Sequence, residues 1–523
     1  MSTDDRLAQC ANALLATMTL EEKAGQLSQY FYFGGWAAQN ELVESQVRAG
    51  QAGSLLFVAD SRETNRLQRI AVEESRLGIP LLFGFDVIHG LRTIAPVPLG
   101  MAASWDPQLY EQVQAMAARE ARAVGIHWAF APMLDIARDP RWGRIVEGAG
   151  EDLYLGAQMG AAQVRGFQGD AIGAPGHIVA GPKHYIGYGA ALGGRDYDEV
   201  SLTEGELRNV YLPPFAAAVA AGAGNVMTSY VGIDGVPGAA DRHLITDVLR
   251  GELGFDGFVV SDAASVMDLV THGFARDEQD AAVRALQAGL DMEMWTGMRI
   301  APGADPTPIV GAFSTLPDAI RSGAVDEAIL DAAVRRILTL KLRLGLFEQP
   351  YVDEAAVGSI MSDPAHREIA RVAAERSAVL LRNEGGILPI ERSAVHSIAV
   401  IGPLADDRPA TLGPWVFAPD LGATVTILDG LRRTAGDGAW VAHAPGLSVP
   451  TRTIPSPFAA LADSLGMPAS SEVPFDEAAE FARAVELARS SDVAVLVLGE
   501  AADMNGEAAS RSTLDLPGRQ IER

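Results

Sequence analysis

The chain has 523 residues, too many for one ordinary hydrophobic core, so two domains are expected. Its formal net charge of −26 argues against a nucleic-acid partner, because a phosphate backbone attracts basic surfaces. The single cysteine, Cys10, excludes an intramolecular disulfide and a cysteine-based metal site.

The N-terminal stretch MSTDDRLAQCANALLATMTLEEK predicts the start of a helix and not a secretory leader. It lacks a basic beginning, and its apolar run is short and followed by charged residues. No apolar stretch elsewhere is long enough to span a bilayer. These features predict a cytoplasmic protein without a membrane partner, and they are compatible with a homo-oligomer.

Seven short apolar runs alternate with helix-like stretches through the first 300 residues. They are SLLFV (54–58), PLLFGFD (80–86), IHWAFAPMLD (126–135), HIVAGPKH (177–184), NVMTSY (225–230), FVVSD (258–262) and GLDMEM (289–294). Steady alternation of strand and helix predicts a parallel sheet, and this number of units favours a (β/α)₈ barrel of the TIM type over an open sheet. An eighth strand is not obvious, and PIVGAF (308–313) is the candidate.

Polar side chains stand at or just past the ends of six of these runs. They are Asp86, Asp135, the pair Lys183–His184, Tyr230, Asp262 and Glu293. The carboxyl ends of the strands in a parallel barrel share one face, where active sites are built. A helix cap is the commoner explanation for any single residue. Six such positions, one of them a Lys-His pair, favour a shared site.

A long amphipathic helix is predicted over VDEAILDAAVRRILTLKLRLG (325–345), with Gly345 closing it in the left-handed conformation. Its apolar face is expected to hold Ile329, Ala333, Ile337, Leu340 and Leu344.

A second α/β pattern follows this helix. Its predicted strands are AVLLRN (378–383), SIAVIGP (397–403), ATVTIL (423–428) and DVAVLVLGE (492–500). The resulting division is a TIM-like barrel over residues 1–345, a linker over 346–367 and an α/β sandwich over 368–523. The pattern stops at SRSTLDLPGRQIER, which reads as the approach to another helix. We therefore expect the sandwich to be C-terminally incomplete or to expose a sheet edge.

Several common chemistries lack their motifs in this sequence. No His-x-x-x-His or clustered His/Asp pattern has metal-ligand spacing, and GYGAALGG (187–194) breaks the dinucleotide-binding glycine pattern at Leu192. Carboxylates remain, and a pair of them can hydrolyse a glycosidic bond without a metal or an organic cofactor. Asp262 suits the nucleophile, because cations such as Lys183 on a neighbouring strand keep a carboxylate ionised.

Seven longer blocks make the chain resemble one known family. They are IPLLFGFDVIHGLRTIAPVPLG (79–100), DPRWGRIVEGAGED (139–152), GPKHYIGYG (181–189), GGRDYDEVSLTE (193–204), LRGELGFDGFVVSDAASV (249–266), LLRNEGGILPI (380–390) and GEAASRSTLDLPGRQ (506–520). Together they resemble glycoside hydrolase family 3, in particular its bacterial β-glucosidases with a barrel and an α/β sandwich. The resemblance extends from about residue 18 to the last residue.

The resemblance implies a role for individual residues. Asp262 matches the family's catalytic nucleophile, and Glu507 in NGEAASR matches an acid/base that many relatives take from the second domain. Glu500, at the end of a predicted strand, is the second choice for the acid/base. The sugar in the first subsite would be surrounded by Asp86, Arg144, Lys183 and His184, with Tyr230 nearby. For Asp86 and Arg144, an ion pair tying two loops together is the alternative reading.

The chain departs from the family pattern at a few places. Ala263 follows the nucleophile where relatives often have Trp or His, which removes a wall of the leaving-group subsite. Nothing corresponds to the further fibronectin-like domain of some relatives. The loop KHYIGYG also lacks the second histidine of the family's N-acetylglucosaminidases, so that branch is set aside.

The predicted function is that of a retaining, exo-acting β-glucosidase that releases terminal non-reducing β-D-glucosyl residues from a small oligosaccharide or β-glucoside. A covalent glycosyl-enzyme would form on Asp262, with the two carboxyl groups about 5–5.5 Å apart. Three alternatives stay open. One is a β-xylosidase of the same family, another is a sugar-binding remnant with low activity, and the third is a Schiff-base aldolase that uses Lys183.

Overall fold

The structure is a computed structural model that describes residues 3–34, 36–297, 308–452 and 475–522. Its α-helices cover Thr3–Leu15, Leu20–Gln26, Ala37–Arg48, Ser61–Arg69, Pro98–Ala103, Pro107–Ala123, Leu153–Gln168, Glu204–Glu206, Leu212–Ala220, Ser265–Thr271, Glu278–Ala288, Leu316–Arg321, Glu327–Arg343, Val357–Met361, Pro364–Ser377, Arg408–Leu412, Ile427–Ala435 and Glu477–Arg489. Wider π-type turns cover Ile70–Glu74, Leu207–Tyr211 and His243–Glu252. Over the described ranges, no helix is long and apolar enough to cross a membrane.

Aspartate side chains begin many of these helices, as the sequence leads one to expect. Asp106 accepts a hydrogen bond from the backbone N–H of Leu109, and Asp152 accepts one from Leu155. Asp326 does the same at the start of the long helix Glu327–Arg343. Each carboxylate satisfies a backbone donor that the first helical turn leaves without a partner.

Eight parallel strands form the first domain. They are β1 (Ser28–Phe31), β2 (Ser54–Leu56), β3 (Leu82–Phe85), β4 (Trp128–Ala129), β5 (Val179–Ala180), β6 (Asn225–Met227), β9 (Phe258–Val260) and β10 (Glu293–Trp295), and the short hairpin β7 (Gly232–Ile233) and β8 (Val236–Pro237) follows β6. Six of them pair in the order β10-β1-β2-β3-β4-β5, and β6 pairs with β9. Parallel bridges Tyr185–Thr228 and Val260–Met292 join the two groups, so the ring closes into a barrel.

The eighth strand is Ser28–Phe31 and not residues 308–313, where a 3₁₀ helix begins at Ala312 instead. The sequence SQYF conceals this strand because two of its four residues are polar although all four are buried. The amide of Gln29 donates to the hydroxyl of Ser54 at 2.8 Å inside the barrel. A hydrogen-bonded polar pair can thus replace the apolar run that a buried strand is expected to have.

The long amphipathic helix is present over Glu327–Arg343, and Gly345 follows with a φ of 67°. Four of the five residues expected on its apolar face are buried: Ala333, Ile337, Leu340 and Leu344. Ile329 was expected there too but is 36% exposed, and the neighbouring Leu330 is buried in its place.

The second domain contains a three-stranded parallel sheet in the order β12-β11-β13. Its strands are β11 (Ser397–Ile401), β12 (Trp440–Ala444) and β13 (Val493–Leu496). The runs SIAVIGP and DVAVLVLGE therefore contain strands, as predicted. The prediction is wrong for AVLLRN, which is solvent-exposed, and for ATVTIL, which leads into the helix Ile427–Ala435. The strand Trp440–Ala444 was not predicted, because its sequence WVAHA is short and only moderately apolar.

The two domains differ in the size of their cores. One continuous apolar core extends through the barrel and its helices, from Ala11 to Leu346. The sheet of the second domain has one small apolar cluster on each face, around Val400 and Leu428 on one side and Ile401 and Ala484 on the other.

Candidate active site

The polar residues that follow three of the barrel strands lie close together at the carboxyl edge of the barrel. Asp86 directly follows β3, Lys183 and His184 follow β5, and Asp262 follows β9. These residues are buried; Lys183 forms an ion pair with Asp86, and the His184 ring lies next to the carboxylate of Asp262. The strand-end argument therefore identified a real cluster at the carboxyl edge of the barrel.

Asp262 is 8% exposed. Its Oδ1 accepts a hydrogen bond from the backbone N–H of Ala263 at 2.7 Å, and its Oδ2 lies 3.6 Å from Nε2 of His184. Burial raises the pKa of Asp262 to about 6, while Arg144 and Lys183 act in the opposite direction. The carboxylate is thus buried but faces a cationic surrounding, which suits an attacking group.

His184 is fixed in one orientation by its neighbours. Its Nδ1 lies 2.8 Å from Asp135 Oδ2, and its backbone N–H donates to the same oxygen at 3.0 Å. Nη2 of Arg144 lies 2.9 Å from Nε2 on the other side of the ring. Burial lowers the pKa of His184 well below its usual value, so the ring is neutral. The neutral tautomer that fits carries its proton on Nδ1 and accepts from Arg144 at Nε2.

Arg144 lies at the centre of the site, on the 3₁₀ turn Gly143–Glu147. Its guanidinium forms two hydrogen bonds with Glu147, at 2.8 and 3.0 Å. Its Nη1 lies 3.4 Å from Oε1 of Glu507, a residue of the second domain. The buried cation of Arg144 thus contacts the carboxylate of Glu147 in the barrel and that of Glu507, which lies 363 residues after Arg144 in the chain.

Glu507 lies next to Arg144 because backbone N–H groups of the Glu507 loop donate hydrogen bonds to residues of the barrel. The N–H of Gly506 donates to the carbonyl of Gly143 at 2.9 Å, and the N–H of Ala508 donates to Asp196 at 2.6 Å. The Tyr197 hydroxyl donates to Oε1 of Glu507 at 2.7 Å. Burial raises the pKa of Glu507 to about 7, with Arg144 opposing the rise and Asp262 adding to it.

Lys183 and Asp86 form an ion pair of 3.0 Å on the other side of the site. The indole ring of Trp415, from the second domain, lies 4.9 Å from Nζ of Lys183 and 5.7 Å from Cζ of Arg144. The site is therefore built on barrel strands and covered by side chains of the second domain.

The structure separates the other sequence candidates. Tyr230 lies beside the site, with its ring 5.4 Å from that of Tyr197. Glu500 forms an ion pair with Arg511, and no contact with Asp262 or Arg144 is found for it over the described ranges. Glu293 does not lie at the carboxyl end of a strand, because β10 begins with it. Its carboxylate instead accepts the backbone N–H groups of Ala312 and Phe313.

Asp135, one of the strand-end positions expected to share a site, contacts His184 as described above. Sequence reasoning missed four residues that shape this site: Glu147, Asp196, Tyr197 and Trp415. They lie in loops or in a short 3₁₀ turn, where no periodicity marks a residue as functional. Position within the quoted blocks DPRWGRIVEGAGED and GGRDYDEVSLTE was the available signal for Glu147, Asp196 and Tyr197. In the part of the chain that the structure describes, no cluster of three or more His, Cys, Asp or Glu could hold a metal ion.

Comparison with protein-family models gives two matches. The model described as glycosyl hydrolase family 3 N terminal domain matches residues 19–340, and that of the glycosyl hydrolase family 3 C-terminal domain matches residues 378–522. A C-terminally incomplete second domain is not confirmed by these matches.

Curated relatives match over most of this chain. A protein named periplasmic beta-glucosidase from Salmonella typhimurium is 37% identical over 97% of this chain and 64% of its own length. A beta-xylosidase from Formosa agariphila is 35% identical over 86% of this chain and 61% of its own length. This chain thus spans less than two thirds of the length of these relatives.

Among solved structures, a beta-glucosidase from Listeria innocua in complex with isofagomine superimposes with a TM-score of 0.85. It is 33% identical to this chain and is matched over 100% of this chain and 67% of its own.

The prediction of a cytoplasmic location is wrong by the comparison with curated relatives, because the similar Salmonella protein is named periplasmic. That prediction rested on the composition of the first residues.

Proposed function

The chain belongs to glycosyl hydrolase family 3, and on this basis we propose that it is a retaining, exo-acting β-glucosidase that releases terminal non-reducing β-D-glucosyl residues. One observation carries the proposal: two buried carboxylates, Asp262 of the barrel and Glu507 of the second domain, lie on either side of the pair formed by Arg144 and His184. Nη1 of Arg144 is 3.4 Å from Glu507 Oε1, and its Nη2 is 2.9 Å from the His184 nitrogen that lies 3.6 Å from Asp262 Oδ2. Two carboxyl groups, one as nucleophile and one as acid/base, are the groups that most glycosidases use to hydrolyse a glycosidic bond.

In the first step, Asp262 attacks the anomeric carbon while Glu507 donates its proton to the glycosidic oxygen. The bond from the anomeric carbon to that oxygen breaks, and the aglycone leaves as an alcohol. In the second step, the ionised Glu507 takes a proton from water, and the resulting nucleophile releases glucose and frees Asp262. Burial raises the pKa of Glu507 and the nearby Asp262 adds to that rise, which favours a Glu507 that carries the proton to be donated.

The sugar would be held by the polar groups around Asp262. We propose that Asp86, Arg144, Lys183 and His184 bind the hydroxyls of the first subsite, with Tyr230 beside the nucleophile. Charged groups that are already fixed by ion pairs can donate and accept hydrogen bonds without reorganising when the sugar arrives. The cover of Trp415 and the Glu507 loop favours a closed pocket that admits one chain end, which is why exo action is proposed.

The domain division is part of the proposal: a barrel over residues 1–345, a linker over 346–367 and an α/β sandwich over 368–523. In this scheme the first domain binds the sugar and supplies the nucleophile, while the second supplies the proton donor. The likeness to the Formosa protein named beta-xylosidase keeps a xyloside as the second candidate substrate.

Hydrolysis of aryl β-glucoside and aryl β-xyloside by the wild type, Asp262→Ala and Glu507→Ala tests the proposal, with azide added to each. We expect Asp262→Ala to be inactive, and azide to restore Glu507→Ala with formation of a β-glucosyl azide, as a retaining mechanism requires. A faster reaction on the xyloside would assign the second substrate. A wild type that binds glucose without turnover would favour a sugar-binding remnant, and an adduct trapped at Lys183 by borohydride would indicate an aldolase.

A further inference from the structure

Tyr197 is the residue outside the proposed catalytic set that contacts Glu507 most directly. Its hydroxyl donates to Oε1 of Glu507 at 2.7 Å, the same oxygen that lies 3.4 Å from Nη1 of Arg144. Both contacts fall on one carboxylate oxygen. The other oxygen, Oε2, is the one left to carry a proton toward a bound substrate.

The backbone at Tyr197 is held in an unusual conformation. Its φ of 66° lies in the left-handed region, which non-glycine residues seldom adopt. The preceding residue, Asp196, explains how this conformation persists. Its carboxylate accepts the indole N–H of Trp142 at 2.8 Å and the backbone N–H of Ala508 at 2.6 Å, and its own N–H donates to Ser510 Oγ at 2.7 Å. Contacts on both sides of the domain boundary thus fix the turn that presents the tyrosine.

The ring of Tyr197 is also oriented by other aromatic rings. It stacks on Tyr188 at a centroid distance of 6.4 Å and meets the edge of Tyr230 at 5.4 Å. The residue as a whole is 43% exposed, while its hydroxyl contacts the buried carboxylate of Glu507. A half-exposed side chain held by backbone, rings and a carboxylate is well placed to act on that carboxylate.

We propose that Tyr197 is a positioning residue for Glu507, which holds Oε1 so that Oε2 faces the glycosidic oxygen and which sets the pH at which Glu507 gives up its proton. This inference rests on the proposed function. The hydroxyl is a donor and therefore stabilises the ionised carboxylate. In agreement with that sign, the hydrogen bond from Tyr197 lowers the pKa of Glu507 against the larger rise that burial causes.

Removing the hydroxyl has a consequence that a merely structural role would lack. In Tyr197→Phe the protonated form of Glu507 persists to higher pH. The alkaline limb of kcat/KM for aryl β-glucoside, which reports loss of the proton donor, is expected to move upward by on the order of one pH unit. Loss of the Oε1 contact should also reduce kcat about tenfold on substrates with poor leaving groups.

Two further variants make the test specific. Asparagine tolerates the left-handed backbone better than tyrosine does but is too short to reach Glu507, so Tyr197→Asn should move the alkaline limb as Tyr197→Phe does. Tyr154→Phe removes the hydroxyl of a tyrosine that is 69% exposed on the helix Leu153–Gln168, and it should change neither the alkaline limb nor kcat. Thermal unfolding of each variant reports whether it is folded.

The outcomes separate this inference from the proposed function. If Tyr197→Phe and Tyr197→Asn keep the wild-type alkaline limb while Glu507→Ala loses activity and recovers it with azide, the role of Tyr197 is refuted and the function stands. If Asp262→Ala and Glu507→Ala are as active as the wild type, the proposed function itself fails.

Discussion

In the barrel, the site residues are placed by the strands that precede them, whereas Glu507 of the second domain is placed by its contacts with the barrel. Asp86, Lys183 and Asp262 each follow a buried strand whose pairing fixes its direction. Glu507 lies more than ten residues beyond β13, the last strand of its own sheet. It reaches Arg144 because Gly506 and Ala508 bind backbone and side-chain groups of barrel loops.

This contrast shows how two domains can divide one reaction. In the proposed mechanism, groups at the ends of the barrel strands bind the sugar, and a loop of the second domain adds the proton donor across the boundary. Activity should therefore depend on contacts between the domains at least as much as on the core of either one. Four experiments test this view, beginning with the largest expected effect.

Replacing Arg144 should damage both regions at once. In Arg144→Ala, Glu147 is left buried without its ion pair, and Glu507 loses its cation. Breaking a buried pair on one side costs about 3–5 kcal/mol of folding stability. We expect a lower Tm in thermal unfolding and a loss of kcat/KM on the order of 10³-fold or more.

The matched control is Arg141→Ala in the same loop. Arg141 is partly exposed and its side chain pairs only with the nearby Asp139 among the described residues. Its Tm and activity should stay close to those of the wild type, since exposed ion pairs contribute little. Equal losses in the two variants would contradict the central position given to Arg144.

The second experiment moves the Glu507 loop away from the barrel without replacing a charged residue. A Cβ on Gly143 would lie 2.6 Å from the carbonyl oxygens of both Gly506 and Ala509. Gly143→Ala should therefore push the Glu507 loop away and reduce kcat by about 10²-fold, since small misplacements of catalytic groups are costly. The Tm should fall much less than kcat does.

Glucose binding by Gly143→Ala, measured by calorimetry, should survive because the barrel groups stay in place. Gly205→Ala serves as the control, since a Cβ at Gly205 meets nothing within 4 Å. Loss of glucose binding in Gly143→Ala would indicate that the two regions are not separable in this way.

In the pH profile of kcat/KM, we expect the acid limb to report Asp262 of the barrel and the alkaline limb to report Glu507 of the second domain. Stepwise titration predicts that kcat/KM falls about tenfold per pH unit below about pH 6, where Asp262 becomes protonated, and again above about pH 7, where Glu507 loses its proton. Both pKa values are raised, so the optimum lies above the range of ordinary carboxylates. Glu507→Gln should abolish the alkaline limb and retain the acid limb. An alkaline limb that persists in this variant would assign it to another group.

The smallest expected effect concerns the cover of the sugar site. Trp415→Phe keeps an aromatic face over Lys183 and Arg144 but weakens the cation–π contacts, which are best for tryptophan. We expect KM for aryl β-glucoside to rise about threefold with kcat nearly unchanged. Trp440→Phe, on a tryptophan that is 59% exposed at β12, is the control and should leave KM as it is. A fall in kcat that exceeds the rise in KM would give Trp415 a part in the chemistry.

Much of the barrel could be predicted from sequence because its parallel strands are buried on both faces and read as apolar runs. The strand Ser28–Phe31 was not predicted because it includes the polar Ser28 and Gln29, and the amide of Gln29 donates to Ser54 in place of an apolar contact. Strands in the second domain were harder to predict. AVLLRN has the composition of a buried strand but is exposed, so its apolar composition alone did not decide its structure.

The candidate site shows the same limit. Asp262 could be named because it ends a strand, and Glu507 because its surroundings match a family motif. Glu500 also ends a predicted strand, yet in the structure it lies four residues beyond β13 and its partner is Arg511. The parts played by Glu147, Asp196 and Tyr197 depend on loops meeting across a domain boundary, and loop conformation has no period that could be read from the chain.

By itself, the sequence determined the alternation of strands and helices in the barrel, the family, and most of the residues at the carboxyl ends of the barrel strands, Glu293 excepted. These follow from local hydrophobic periodicity and from short motifs, which are properties of neighbouring residues. Only the tertiary structure decided which carboxylate meets Arg144, which histidine tautomer fits, and which tyrosine holds Glu507. Those relations join residues separated by up to several hundred positions, and they exist only after the two domains have packed against each other.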